Sequence, residues 1–131
     1  MSFSFKFKSL LIGKHGEKIA TEYLKGHGYK ILETNFSNPD GRRLGEIDII
    51  AKDREEMVFI EVKTRSDFNK NSPLPEESIN AKKLHKINKI ANFYINKHSL
   101  FDVSCRFDAI SILLDNNKNC SELRHLKNIF L

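Results

Sequence analysis

The sequence predicts a single α/β domain with the element order αβββαβ, a short tail and a mixed sheet. The 131 residues are enough for one domain of ordinary size and too few for two. Apolar residues make up 40% of the chain and charged residues 30%, which provides a core under a well-solvated surface. Stretches with helical and strand-like apolar spacing also alternate along the chain, as is typical of α/β domains.

The N-terminal part of the chain predicts one helix and one strand. Residues 1–12 place phenylalanine at alternate positions, which fits either a short strand or a mobile N-terminal arm, so the domain proper is assigned to 13–131. From Gly13 to His27 apolar residues recur at helical spacing, and glycines follow as a stop signal. Residues 28–36 then form a strand that ends in the turn-rich segment 37–41.

The remainder predicts a hairpin, a long helix and a buried strand. Strands at 44–51 and 57–64 are joined by a short polar loop, which implies an antiparallel pair. An irregular segment at 66–78 precedes a helix from about Ser78 to His98. Residues 103–114 form a largely buried strand, and a last short element lies around 123–130.

Composition excludes several classes of protein. No stretch approaches the length of a membrane span, the N-terminus lacks the apolar region of a signal peptide, and no membrane partner is expected. The two cysteines, Cys105 and Cys120, have no metal-ligand spacing and are interpreted as reduced thiols of a cytoplasmic protein. A formal charge of +5 favours a polyanionic partner such as nucleic acid.

Two acidic residues of the predicted hairpin oppose each other. If the loop is residues 53–56, positions whose numbers add up to 109 pair, and Asp48 faces Glu61. Alternation places Glu46 and Asp48 on one strand face and Ile47 and Ile49 on the other. Opposed carboxylates lie about 5 Å apart and raise each other's pKa unless a cation lies between them. A divalent metal ion is the economical explanation, although a charged outer face of a hairpin is a common structural feature.

Further residues strengthen the case for a site. Both strands are otherwise strongly apolar, which favours central strands over an exposed ribbon. A third acid, Glu17, lies on the first helix at the margin of its apolar stripe, where it either faces the sheet or simply complements the helix dipole. Arg106 and Asp108 share a strand face and are interpreted as a structural pair, and the five histidines as surface or helix-end residues.

These residues carry a resemblance to a known family. The chain resembles the YraN-like family of the PD-(D/E)XK, or restriction-endonuclease-like, nuclease superfamily over roughly residues 13–130. The resemblance is carried by segments spread along that range: GEKIA (16–20), GY (28–29), Asn35, GEIDIIA (45–51), VFIEVKTR (58–65), Lys83, RFDAISI (106–112) and HLKNIF (125–130). It implies a restriction-endonuclease-like fold and a metal-dependent hydrolase of phosphodiester bonds.

The resemblance also implies residue roles. The superfamily has an acid on the first helix, an aspartate on one strand and Glu-x-Lys on the next, which correspond here to Glu17, Asp48, Glu61 and Lys63. Asp48 and Glu61 would hold Mg²⁺ or Mn²⁺, with the Val62 carbonyl and Glu17 as further ligands. Lys63 would orient the attacking water, and its burial predicts a lowered pKa.

Basic residues are expected to contact the phosphates of the substrate. The long helix carries lysines and no acid between Ile79 and His98, and arginines flank the acidic cluster; a solvated helix face is the alternative. The predicted phosphate contacts are Arg42, Arg43, Arg65, Lys82, Lys83 and Lys86.

Three hypotheses for function follow. The first is a magnesium-dependent endonuclease that acts on DNA with structural selectivity or none, and as a homodimer if it cuts both strands. The second is a nucleic-acid-binding adaptor that keeps the fold without turnover. The third is a protein-interaction subunit whose acidic cluster is a structural network.

Overall fold

The computed structural model describes residues 2–38, 45–66 and 81–129, which form two helices and five strands. The elements in chain order are α1 (Ser2–Gly26), β1 (Lys30–Phe36), β2 (Ile47–Asp53), β3 (Glu56–Ser66), α2 (Ala81–Lys97), β4 (Cys105–Leu114) and β5 (Cys120–Leu126). The protein is therefore an α/β protein, as the sequence predicts.

The five strands form one mixed sheet in the order β1-β2-β3-β4-β5. β3 and β4 are parallel and are joined through α2, whereas the other three neighbouring pairs are antiparallel. A parallel pair needs such a crossover, and the helix covers the sheet as it returns. Beyond α1, the five predicted elements from β1 to β4 have the predicted type, and the last short element is a fifth strand at the edge of the sheet.

A helix covers each face of the sheet. On one face, α1 packs on β2, β3 and β4 in a buried cluster that includes Ala20, Leu24, Ile49, Ile60 and Ile110. On the other face, a second buried cluster joins α2 to β2 and β3; its members include Ile50, Phe59, Ile87, Ile90 and Tyr94. Because both faces are buried, the central strands are apolar at most positions, as in other three-layer α/β domains.

Both helices end in the same backbone motif. In α1 the amide of Tyr29 donates to the carbonyl of Leu24 over 2.9 Å, with Gly28 at a φ of +87°. In α2 the amide of Leu100 donates to Ile95 over 3.0 Å, with Ser99 at +52°. This left-handed cap satisfies the last helical carbonyls and explains the glycine stop signal that predicts the end of α1.

The start of α1 differs from the prediction. The helix begins at Ser2, so the N-terminal segment is helical and is not a strand. Alternate phenylalanines suggested period two, but a helix already nucleated at 13–26 extends into flanking residues at little cost. α2 begins at Ala81, and the predicted start near Ser78 falls outside the described residues.

The β2–β3 hairpin has the predicted register. Ile49 pairs with Ile60 and Asp53 with Glu56, so the turn is Arg54–Glu55. The predicted alternation is wrong at one point, because Ile47 packs in the cluster under α2 and Ile49 in the cluster under α1. On the neighbouring strand β1, Asn35 has a φ of +53°, and this left-handed residue lies beside the point where the alternation of β2 is interrupted.

Within the described ranges, neither helix is long and apolar enough to cross a bilayer.

Candidate active site

A row of polar side chains crosses three strands at one end of the sheet. The β1–β2 pairing runs through Thr34–Ile49 and Phe36–Ile47, so Asn35 lies opposite Asp48. The β2–β3 register, continued by one residue, sets Asp48 opposite Glu61. The sheet thus brings together an amide and two carboxyl groups from segments far apart in sequence.

Asp48 is the central member of this row. Its Oδ2 accepts a hydrogen bond from the Val62 amide over 2.8 Å, which fixes the carboxyl between β2 and β3. Burial, and then the charge of Glu61, raise the pKa of Asp48 to about 8. At neutral pH Asp48 therefore keeps its proton and shares it with the neighbouring carboxyl groups.

Glu61 is held by two lysines on the same oxygen. Lys83 of α2 lies 2.8 Å from Glu61 Oε1, and Lys63, two residues along β3, lies 3.4 Å from the same atom. Burial, together with the adjacent Lys83, lowers the pKa of Lys63, in the direction that the sequence predicts. Burial opposes the charge of Lys83, but its contacts with Glu61 and Lys63 outweigh this effect and raise its pKa.

Glu17 reaches the row from α1, on the opposite face from α2. Its side chain is hydrogen-bonded to Asn35 and to Asp48, and burial followed by the charge of Glu46 raises its pKa despite those bonds. The interpretation of Glu17 as a residue that faces the sheet is therefore the one that agrees with the structure. Asn35 and Glu46 join the site without having been assigned a role from the sequence.

A close approach of α1 to β3 positions Glu17. A Cβ atom on the preceding residue, Gly16, would overlap Thr64 Oγ1 and lie 2.8 Å from Thr64 Cβ. Thr64 follows Lys63 directly, so this contact locks the helix turn that carries Glu17 to the strand that carries Glu61 and Lys63. The glycine is required by the packing and not by its backbone angles.

The other predicted residues are distributed as follows. Val62 enters the site through its amide, which binds Asp48. Arg65 is half-buried near the end of β3, and Lys82 and Lys86 are exposed on α2. Arg42 and Arg43 lie outside the described residues. Lys83, predicted to contact phosphate, lies beside Glu61 in this structure.

The donor set suits a hard divalent cation, since it consists of carboxylates, which Mg²⁺ and Mn²⁺ prefer. A buried aspartic acid with a strongly raised pKa is also the expected state of a carboxylate site without its cation. In the part of the chain that the structure describes, no three Asp, Glu, His or Cys side chains already form a cage for an ion. Lys63 and Lys83 take the place of a cation at Glu61 Oε1.

β4 and β5 hold a separate polar network. Asp108, with no side-chain exposure, pairs with Arg106 Nε over 3.0 Å and with His125 Nε2 over 2.7 Å. His125 Nδ1 lies 3.0 Å from the Tyr23 hydroxyl, and the Asn128 amide donates to Asp108. The structural interpretation of Arg106 and Asp108 agrees with these contacts. The assignment of His125 to the surface is wrong, because β5 turns its ring inward.

Comparison with protein families identifies the chain. The model of the uncharacterised protein family UPF0102 matches residues 16–112. The chain belongs to UPF0102. The segment that matches UPF0102 begins at the Gly16 contact and includes Glu17, Asp48, Glu61 and Lys63, whereas β5 follows it.

Individual UPF0102 proteins are similar over almost their full length. A UPF0102 protein of Caldicellulosiruptor bescii is 42% identical over 120 residues, which cover 91% of this chain and 96% of the relative. One from Persephonella marina is 45% identical over 122 residues, with 93% and 95% covered. One from Clostridium botulinum is 45% identical over 120 residues, with 91% and 93% covered.

Proposed function

We propose that this protein is a magnesium-dependent endonuclease of the restriction-endonuclease-like, PD-(D/E)XK superfamily. Its substrate is DNA, cut with selectivity for structure or with none. The single observation that carries the proposal is the opposition of Asp48 and Glu61 with Lys63 beside them. A protein gains no stability from a buried carboxyl whose pKa lies near 8, and such perturbed groups cluster at functional sites.

Each residue has a role in this proposal. Asp48 and Glu61 bind Mg²⁺ or Mn²⁺, and Glu17 contributes a further carboxylate from α1. Bound there, the ion would supply Lewis-acid stabilisation of charge at the phosphate. Lys63 is half-buried and has a lowered pKa, so it can hold a water molecule in line with the phosphate and exchange a proton with it. Asn35 orients Glu17 through their hydrogen bond.

The test is cleavage of labelled single-stranded, duplex, flap and four-way-junction DNA, with Mg²⁺, with Mn²⁺ and with EDTA. We expect metal-dependent cleavage of at least one substrate by the wild type, and its loss in Asp48→Ala and in Lys63→Ala. Asp102→Ala, which removes an exposed carboxylate at a distance from the site, should cut normally. Cleavage that survives in Asp48→Ala, or that needs no metal, would overturn the proposal.

One observation favours a second candidate. The Glu61 oxygen that an ion needs is already engaged by Lys63 and Lys83. A nucleic-acid-binding adaptor would retain this arrangement permanently. It would bind the same DNA panel in a salt-sensitive way, produce no cleavage products, and bind unchanged or more tightly after Asp48→Ala.

The proposal extends to assembly and location. Each chain carries one site, and a nuclease that cuts both strands of a duplex needs two, so we propose a homodimer. Both cysteines are free thiols in this structure, which is consistent with our placement of the protein in the reducing cytoplasm.

A further inference from the structure

A groove between α1 and β1 opens directly beside the candidate active site. Its volume is about 370 Å³. Glu17 and Asn35, which belong to the site, also line this groove, together with six other residues: Lys14, Lys18, Thr21, Glu22, Lys25 and Thr34. The groove and the carboxylate row are therefore one continuous surface.

The helix side of the groove is basic. Lys14, Lys18 and Lys25 are all exposed, and their spacings of four and seven residues place them on one face of α1. At 1.5 Å per residue they span roughly 16 Å along the helix axis. Since one strand of duplex DNA advances about 3.4 Å per nucleotide, this length corresponds to roughly five nucleotides.

The acids in the groove do not cancel this charge. Glu17 is half-buried and hydrogen-bonded to Asn35 and Asp48, so it belongs to the cation site. Glu22 is exposed and is the other acid in the lining. Three lysines therefore face one exposed carboxylate along a channel that ends at the site.

These lysines are distinct from those of α2. α1 and α2 pack on opposite faces of the sheet, so their lysines approach the site from opposite sides. A strand that lies only along α2 would leave Lys14, Lys18 and Lys25 without contact. A strand in the α1–β1 groove passes Glu17 and reaches Asp48 from the side on which α1 lies.

We propose that the groove between α1 and β1 binds the nucleic-acid strand that carries the scissile phosphate, through its backbone phosphates, at Lys14, Lys18 and Lys25. This inference rests on the proposed function and names the path of its substrate. Because the contacts are to phosphates, binding here is independent of base sequence.

The test measures binding in EDTA, where no cleavage occurs. The probes are a fluorescein-labelled 20-nucleotide single strand and the duplex of the same sequence, followed by fluorescence anisotropy. The groove variant is Lys14→Gln/Lys18→Gln/Lys25→Gln. Its control, Lys30→Gln/Lys118→Gln/Lys127→Gln, changes three exposed lysines elsewhere, so both variants lower the formal charge from +5 to +2.

We expect the groove variant to bind single-stranded DNA roughly 10- to 100-fold more weakly than the control does. For this variant, the slope of log K against the logarithm of the salt concentration should be shallower by about 0.7 for each phosphate contact that is lost. Equal binding by the two triple variants, or no binding by the wild type, would overturn the inference.

A second variant guards against loss of folding as the cause. Glu22→Gln removes the exposed acid of the groove and should tighten binding by a few-fold, which a misfolded protein cannot do. Glu55→Gln, at the hairpin turn far from the groove, should leave binding unchanged. Equal affinities for these two variants would count against the groove.

The result is separable from that of the cleavage panel. If the groove variant binds weakly but the wild type cuts nothing, the groove stands as a phosphate-binding surface for nucleic acid, and the nuclease proposal fails. If the wild type cuts in a metal-dependent way and the groove variant binds and cuts like its control, the nuclease proposal stands and the strand follows another path.

Discussion

Asp48 is held in a state that lowers the stability of the protein. Burial and Glu61 raise its pKa from the ordinary 3.8 to about 8. Between these two values the native state keeps a proton that the unfolded chain has released, so the free energy of unfolding falls as the pH rises. A carboxyl group placed for folding alone would show the opposite trend.

Asp48→Asn should therefore stabilise the metal-free protein in a pH-dependent way. We expect a gain of about 0.5–2 kcal/mol at pH 8 that shrinks towards pH 4, measured by urea denaturation in EDTA. Asp102→Asn, which alters an exposed carboxylate, should give no such trend. A gain that is identical at both pH values would show that the charge of Asp48 is not its source.

Lys83 competes with any cation for Glu61, because it occupies Oε1 at 2.8 Å. Lys83→Gln should therefore bind Mn²⁺ about fivefold more tightly than the wild type in the absence of nucleic acid, a gain of roughly 1 kcal/mol. Isothermal titration calorimetry measures this directly. Lys86→Gln makes the same charge change one turn further along α2, where the side chain is exposed, and should have a much smaller effect. Equal affinities for the two variants would contradict the competition.

Among the elements, the contact of α1 with β3 matters most for the site. Its tightest point is Gly16 against Thr64, which adjoin Glu17 and Lys63 respectively. The geometry of the carboxylate row therefore depends on the distance between a helix and a strand as well as on the strand register.

Gly16→Ala should push α1 away from β3 and destabilise the protein by about 1–3 kcal/mol, as overpacking does. Gly13→Ala, three residues earlier in the same helix, meets no atom within 4 Å and should instead stabilise by about 0.5–1 kcal/mol. Thermal denaturation distinguishes the two. Adding Thr64→Ala to Gly16→Ala should recover part of the loss, since it removes Oγ1 and Cγ2; no recovery would mean that the strain lies elsewhere.

At the scale of the whole molecule, the two polar clusters of the sheet differ in how their charges are paired. The cluster around Asp48, on β1, β2 and β3, places carboxyl groups side by side, whereas the cluster around Asp108, on β4 and β5, pairs each buried charge. Burial alone would raise the pKa of Asp108, but its bonds to His125, Arg106 and Asn128 outweigh this and lower it. The charge of Asp108 is thereby favoured in the folded state, and this contribution is lost only as the pH falls below the ordinary carboxyl range.

Asp108→Asn should cost about 1.5–3 kcal/mol, because Arg106 and His125 lose the buried carboxylate that they share, and Arg106 keeps only the more exposed Asp53 and Glu56 as charge partners. The matched control is Glu122→Gln, which breaks an Arg–carboxylate pair with the same Nε donor, at 2.8 Å, on exposed β5. That loss should be at most about 1 kcal/mol. Urea midpoints for both variants provide the comparison, and similar losses would mean that the Asp108 network is not the stabilising feature described here.

The sequence alone determined the features that depend on local patterns. Apolar alternation and a short turn set the register of the β2–β3 hairpin, and hence the opposition of Asp48 and Glu61. The family resemblance added Glu17 and Lys63 to the same site. The hairpin register rests on neighbours a few residues away and on one tight turn, where propensity and spacing are informative.

Only the tertiary structure decided the contacts between distant segments. The pairing of Lys83 with Glu61, the place of Asn35 opposite Asp48 and the inward turn of His125 join residues between 13 and 22 positions apart through sheet order and helix packing. The break in alternation at Ile47 has the same origin, since Ile47 packs in the cluster under α2 and Ile49 packs in the cluster under α1. Local periodicity cannot specify such contacts, because they are set by which elements pack together and at what distance.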